Sequence, residues 1–221
     1  IGFSDILMLA PDLRNTTPFD KYPNAVLNLN TRLKGKVDDL FIQNLEVSGL
    51  DDLKLSASGN IKNATNPDQL YYDLNIRNLS ASAKTIEKLV PKNTIPENIN
   101  IPTKFSLNGT AKGTTEIIDT KLNLTSTSGN ARLTAKLDMR QKDNEKFDVI
   151  ADLQKLNIGQ IISNPDLGTV TGKITAKGQS FNPEKMIASV NGSIRSATYN
   201  KYTYQNVNLD ARIDEGVFDG E

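Results

Sequence analysis

The 221-residue chain contains no cysteine, no histidine and no tryptophan. Those absences exclude disulfides, Cys/His zinc sites, Ser-His-Asp or Cys-His nucleophilic chemistry and histidine pH switches. Charge of one sign is also lacking: 26 basic residues balance 26 acidic ones. A nucleic-acid or anionic-membrane surface would need a basic excess, so no nucleic-acid partner is expected. Hydrophobic residues make up 37% and aromatics 6%, which is lean for a thick two-sided core. No apolar run approaches the ~20 residues that a membrane-spanning helix requires. With these chemistries excluded, no enzymatic activity, cofactor or metal is expected.

Both ends read as cuts inside a larger protein: Ile1-Gly2-Phe3 lacks an initiator Met, and Gly216-Val217-Phe218 starts an apolar run. Signals of targeting or anchoring are therefore not to be sought in this stretch.

Period-two alternation dominates from residue 25 onward, the mark of strands with one buried and one wetted face. Leu27, Leu29, Leu33 and Val37 share a parity, as do Leu53, Leu55, Ala57 and Ile61. Leu70, Tyr72, Leu74 and Ile76 follow, then Phe105, Leu107 and Ala111, then Ile118, Leu122 and Leu124. The cleanest run is Ala131, Leu133, Ala135, Leu137 and Met139, and Phe147, Val149, Ala151 and Leu153 repeat it. Val170, Ile174 and Ala176, Val190 and Ile194, and Val207, Leu209, Ala211 and Ile213 complete the series. About eleven strands joined by short polar turns predict an antiparallel meander.

Four interruptions predict short helices. Ser4 caps Asp5–Ala10 before Pro11; Ser82 precedes Ile86, Leu89 and Val90; Asn157 precedes Ile158, Ile161 and Ile162; Asn182-Pro183 leads into Met186 and Ile187. Three prolines between Pro91 and Pro102 mark a linker. The division is thus a helical lead-in over 1–24, a β-repeat segment over 25–90, a linker over 91–102 and a second β-repeat segment over 103–221. An internal echo supports repetition. The stretch from Leu55 and the stretch from Leu133 both run strand, polar turn, strand, short apolar helix.

Chemical motifs are scarce. Asp38-Asp39 and Asp51-Asp52 are sequence neighbours, so in extended chain they point to opposite faces, and turns suit them better than shared-proton chemistry. Gly109, Gly113, Gly168 and Gly172 form no phosphate loop and fit bulges or bends. Tyr199, Tyr202 and Tyr204 suit a cross-strand aromatic cluster at a hairpin. What stands out is the apolar face, continuous along the chain and punctuated by small residues such as Ala57, Gly59, Ala135 and Gly172. It is either the inner face of a closed sandwich or one wall of an open groove.

Residues Phe3–Leu13 (FSDILMLAPDL) and 156–213 (LNIGQIISNPDLGTVTGKITAKGQ…NVNLDARI) resemble the AsmA/TamB superfamily of envelope proteins. In that family a short helix and a Pro-Asp-Leu-Gly turn lead into strands alternating small and aliphatic residues. The resemblance implies a mainly β fold: a long curved antiparallel sheet, taco- or groove-like, with a few short helices. It also implies the periplasmic part of a protein anchored in the inner membrane, acting in outer-membrane biogenesis and phospholipid transport. The candidate groove-lining residues are Leu53, Leu55, Leu70, Tyr72, Leu74, Ile76, Phe105, Leu107, Leu122, Leu124, Leu133, Leu137, Phe147, Val149, Val170, Ile174, Ile194, Val207, Leu209 and Ile213. Expected partners are lipid acyl chains, or outer-membrane assembly barrel proteins, with the chain itself monomeric. Two alternatives stand beside the lipid conduit: a scaffold receiving outer-membrane strands by β-augmentation, and a plain structural β-module with a closed core.

Overall fold

The computed structural model describes residues 1–9, 11–36, 38–66, 68–90, 95, 98–182 and 184–220. The strands are β1 (Leu27–Lys36), β2 (Asp39–Gly49), β3 (Leu53–Lys62), β4 (Tyr71–Ser82), β5 (Lys104–Gly113) and β6 (Ile117–Ser126). They continue as β7 (Gly129–Asp138), β8 (Lys146–Asn157), β9 (Leu167–Gln179), β10 (Ile187–Tyr199), β11 (Tyr202–Asp214) and β12 (Val217–Gly220). Helix α1 (Phe3–Leu9) and a 3-10 turn (Pro11–Asn15) precede β1, α2 (Ala83–Leu89) follows β4, and α3 (Ile158–Ile161) follows β8.

All the described strands belong to one twelve-stranded sheet, in sequence order from β1 to β12. Every pairing is antiparallel. The sheet does not close: β1 and β12 are its two edges. Its accessible surface is 14232 Å², against about 10,000 Å² expected of a compact chain of this mass. That excess excludes the closed-sandwich expectation, because a second layer over the apolar face would have removed it from solvent. At about 4.8 Å per strand the sheet extends about 50 Å across its strands.

The meander alternates the two sheet ends. Helices α1, α2 and α3 all sit at the end where even-numbered strands finish, and among the described residues the opposite end carries only turns. Two of the helices are tied down by side chains that the sequence predicts as caps. Ser82 accepts from the Thr85 N–H, and Asn157 from the Gln160 N–H. Each then docks on the hairpin turn two strands earlier. Thr85, fully buried, donates to the Asp52 carboxylate at 2.5 Å, and the Ser82 N–H and hydroxyl donate to the same oxygen at 3.1 Å. At α3, the Asn157 N–H donates to the Ser128 carbonyl at 2.7 Å, and Ser128 Oγ donates to Gln160 at 2.9 Å. The two echoed stretches of sequence therefore occupy equivalent places, β3–β4–α2 and β7–β8–α3.

Three expectations need correction. Asn182 starts a turn rather than a helix, because its side chain accepts the Glu184 N–H and its carbonyl the Lys185 N–H, while its own N–H is held by Ser180 Oγ. Pro183 lies outside the described residues. Leu70 and Met139 fall just outside β4 and β7, the Met139 N–H donating to the Glu116 carbonyl. Val37 and much of the linker, residues 91–94, 96 and 97, lie outside the described residues, and β4 and β5 pair directly across that linker. The strand number is twelve rather than about eleven, and β2 has no counterpart among the apolar runs picked out above.

Irregularities in the pairing explain why β2 hides. On one face it carries Leu40 and Ile42, then Leu45 and Val47, and the register shifts between Ile42 and Leu45. One extra residue keeps all four on one face while switching their parity. The same i, i+3 step separates Ile76 from Leu79 in β4 and Leu153 from Leu156 in β8. Beside each bulge the neighbouring strand places a glycine of positive φ: Gly59 (139°), Gly109 (143°) and Gly172 (159°). A Cβ on Gly109 would lie 1.9 Å from the Lys121 carbonyl oxygen.

Gly109→Ala is expected to cost about 1–3 kcal/mol or more, whereas Gly192→Ala, whose Cβ would meet only ordinary contacts beyond 3.4 Å, stays near neutral. Denaturant unfolding of the two variants checks this. A second expectation concerns Asp52, whose hydrogen bonds from Thr85 and then the Ser82 N–H hold its carboxyl below the usual 3.8. Its contribution is full above that usual value and is lost as pH falls through the depressed one. Protection of the α2 amides against hydrogen exchange, taken relative to the free-peptide rate at each pH, should fall on acidification below about pH 4, and Asp52→Asn should remove most of that pH dependence.

Candidate functional site

Residues directly paired across an antiparallel ladder point to the same face, so the register assigns every strand residue to a side. One row runs Val47–Leu55–Leu79–Leu107–Leu124–Ala131–Leu153–Gly172–Ile194–Val207 without leaving the face. A second runs Gly35–Leu40–Ile61–Tyr72–Gly113–Ile118–Leu137–Phe147–Gly178–Ala188–Ile213–Phe218 across all twelve strands. Leu74, Ile76, Phe105, Leu122, Leu133, Val149, Ile174 and Leu209 fill the rows between and beside them, and Leu53 and Val170 lie toward the helix end. The structure thus brings nineteen of the twenty candidate lining residues onto one face of one sheet; Leu70 sits in the preceding loop.

The packing on that face pairs bulk with absence of bulk. Gly59 lies opposite Leu74, Gly109 opposite Leu122, Gly178 opposite Phe147 and Gly192 opposite Leu209. Large neighbours close over small ones, so Ala57, Ala135 and Ala211 are only 3%, 5% and 2% exposed although no second layer of strands covers them. Most of the larger side chains are half-buried, and Val207 is exposed. At the helix end a true core forms, where Leu153, Leu156, Val170 and Ile194 pack with Ile158 and Ile161 of α3. The aromatic expectation is met in register only: Tyr199 and Tyr202 are directly opposed, and with Tyr204 all are exposed at the rim.

The other face carries what sequence alone does not reveal. A row of residues in mutual register reads Lys34–Phe41–Asn60–Asp73–Lys112–Asp119–Lys136–Asp148–Lys177–Ser189–Arg212–Asp219. From β4 to β9 its charges alternate strictly, with Lys136–Asp119 at 3.9 Å and Lys177–Asp148 at 3.7 Å. The six positions lie on six different strands, so the alternation exists only once the register is set. A recess of about 750 Å³ is lined by this row from Asp119 to Arg212, by the parallel row from Ile117 to Asp214 and, between them, by Ile118, Leu137, Phe147, Gly178, Ala188 and Ile213 of the second apolar row.

Reactive chemistry is not assembled. Among the described residues no three His, Cys, Asp or Glu side chains form a metal-binding group, and no buried side-chain nitrogen or oxygen lacks a hydrogen-bond partner. The depressed carboxyls have structural causes: Arg140 beside Asp138 holds it down to about 2, and Lys185 lowers Asp143. No described helix is long and apolar enough to cross a membrane. No protein-family model, curated protein or solved structure matches the chain.

Lys136→Glu would place three carboxylates in succession across β6, β7 and β8. It is expected to lower the thermal unfolding midpoint, and the loss should shrink as salt screens the exposed row. Thermal scans at low and high ionic strength check this.

Proposed function

We propose that this chain is a segment of an AsmA/TamB-like envelope protein, and that its apolar sheet face carries phospholipid acyl chains between the inner and outer membranes. The observation that carries the reading is the unbroken apolar face of a sheet with no layer over it. Soluble monomers seldom leave an apolar area of more than a few hundred Å² uncovered, so such a face calls for a ligand.

The lining suits sliding better than fixed capture. Each acyl methylene removed from water contributes about 0.8 kcal/mol, so a chain lying along several strands is held without a polar anchor. The rows are mostly aliphatic and small residues, repeated strand after strand, so neighbouring positions offer similar contact. A near-uniform energy along the trough permits movement, whereas a convergent set of polar groups would fix one pose. Charge stays on the far face, in water, where it neither selects nor repels a headgroup.

The open edges favour a second reading, in which an outer-membrane strand pairs with β1 or β12 by β-augmentation. The two differ in what they require: lipid needs the apolar side chains, a protein strand needs the edge backbone.

Photo-crosslinkers at Leu122, Leu133 and Ile174 are expected to capture phospholipid from cells, and one at Lys136 to capture none. Equal labelling on both faces would overturn the lipid reading. Capture of protein that survives Leu133→Asn but is abolished by Thr31→Pro in edge strand β1 would favour augmentation instead.

A further inference from the structure

We propose that the two ends of the strands receive opposite parts of a phospholipid: its acyl tails point to the helix end, and its headgroup stays at the turn end. The inference rests on the lipid reading above and adds to it the direction in which the lipid lies.

The helix end is covered. Ile158 and Ile161 of α3 pack on Leu153, Leu156, Val170 and Ile194, all four buried. A strap holds α3 in place. The Asn100 N–H donates to the Ile161 carbonyl at 2.6 Å, and the Asn100 side-chain amide donates to the Gln160 carbonyl at 2.9 Å and to Ser163 Oγ at 2.8 Å. Asn100 belongs to the connection from α2 to β5, so that connection is fastened to the helix that follows β8. At α2, Thr85 is fully buried, and so are Leu53 and Ala81, the sequence neighbours of Asp52 and Ser82. Among the described residues, Ile42 is the one buried strand aliphatic larger than alanine that lies nearer the turn end than the helix end.

The turn end is open. Its recess of about 750 Å³ reaches from β6 to β11, and Ile118, Leu137, Phe147 and Ile213 along it are only half-buried. Ile117 and Ile187 beside it are exposed, as is Phe181, which stacks on Phe147 with ring centroids 5.7 Å apart. No described helix stands at this end.

A phospholipid matches this asymmetry. A headgroup moved under the helices would leave water, and burying polar groups without hydrogen-bond partners is costly. Among the described residues no buried side-chain nitrogen or oxygen is left unpaired to receive it. At the turn end the headgroup keeps its water. The length also fits. From Phe147 to Leu153 on β8 is about 20 Å along the strand, and one leaflet of a bilayer core is about 15 Å thick. A tail entering from the recess therefore reaches the wall made by α3. Lipid then passes from strand to strand with its tails parallel to the strands and its headgroup following the turns.

Because the chain has no tryptophan, single tryptophan variants report on each end alone. Phe147→Trp marks the turn end and Phe105→Trp, at the start of β5, the helix end; both positions lie on the apolar face. Each variant is loaded with a phosphatidylcholine bearing a nitroxide either on its headgroup or at one acyl terminus, and is then separated from free lipid. The headgroup nitroxide is expected to quench Phe147→Trp several-fold more than Phe105→Trp, and the acyl-terminal nitroxide to reverse that order. Tyr72→Trp and Leu124→Trp, at the same two ends, repeat the comparison, so the result does not hang on the folding of one variant. Quenching equal at both ends, in the opposite order, or in the same order with both labels would overturn the direction proposed here and leave the lipid reading standing. Lipid that is not retained, or quenching of neither variant by either label, would overturn the lipid reading and this inference with it.

Discussion

The structure depends on keeping a single apolar face in phase through eleven successive strand pairings. In a one-layer sheet a slip of one residue would turn a strand's aliphatic side chains to the charged side and its lysines inward. Two sets of contacts resist that slip from opposite faces. On one, each large side chain has a glycine or alanine across the ladder to fill, as Leu122 fills the space at Gly109. On the other, a slip would set Lys136 out of line with both Asp119 and Asp148. Exposed ion pairs are individually weak, so here they serve alignment more than stability.

Much of this was legible before the fold was known. Alternation in residues 131–137 and 147–153 reveals β7 and β8 because both are regular over those positions. Ser82 and Asn157 announce α2 and α3 because a capping side chain is a local event that needs only the next three residues. Strand β2 was not legible, since its bulge switches apolar parity between Ile42 and Leu45 and a fixed period of two loses the phase. The same cause hides Leu79, Leu156 and Ala197, which belong to the apolar face by register and not by alternation. The charged row was invisible in principle: its members are separated by whole hairpins, and only pairing makes them neighbours. Asn182 misled because a cap residue before proline is also what a side-chain-bonded turn uses.

Bulge and glycine act together as a bending device. The extra residue in one strand lengthens that side of the ladder, and the positive-φ glycine beside it lets the next backbone follow without a side chain in the way. Repeating the device at β2–β3, β4–β5 and β8–β9 bends the sheet along its strands while the apolar face stays unbroken. The helices then settle one end only. With α3 packed on Val170 and Ile194, that end has a sealed core, and the opposite end keeps its rows open to the turns.

The strand order has a mechanical consequence. Each described strand forms its backbone ladder only with its neighbours in sequence, so tension applied across the sheet from β1 to β12 acts across the ladders, not along them. Hydrogen bonds loaded in that direction break one after another, like the teeth of a zip. The sheet would lengthen hairpin by hairpin under a modest pull, and each released hairpin would need only its adjacent strand as a template to re-form. A wall built in this way can be stretched between two fixed points and recover.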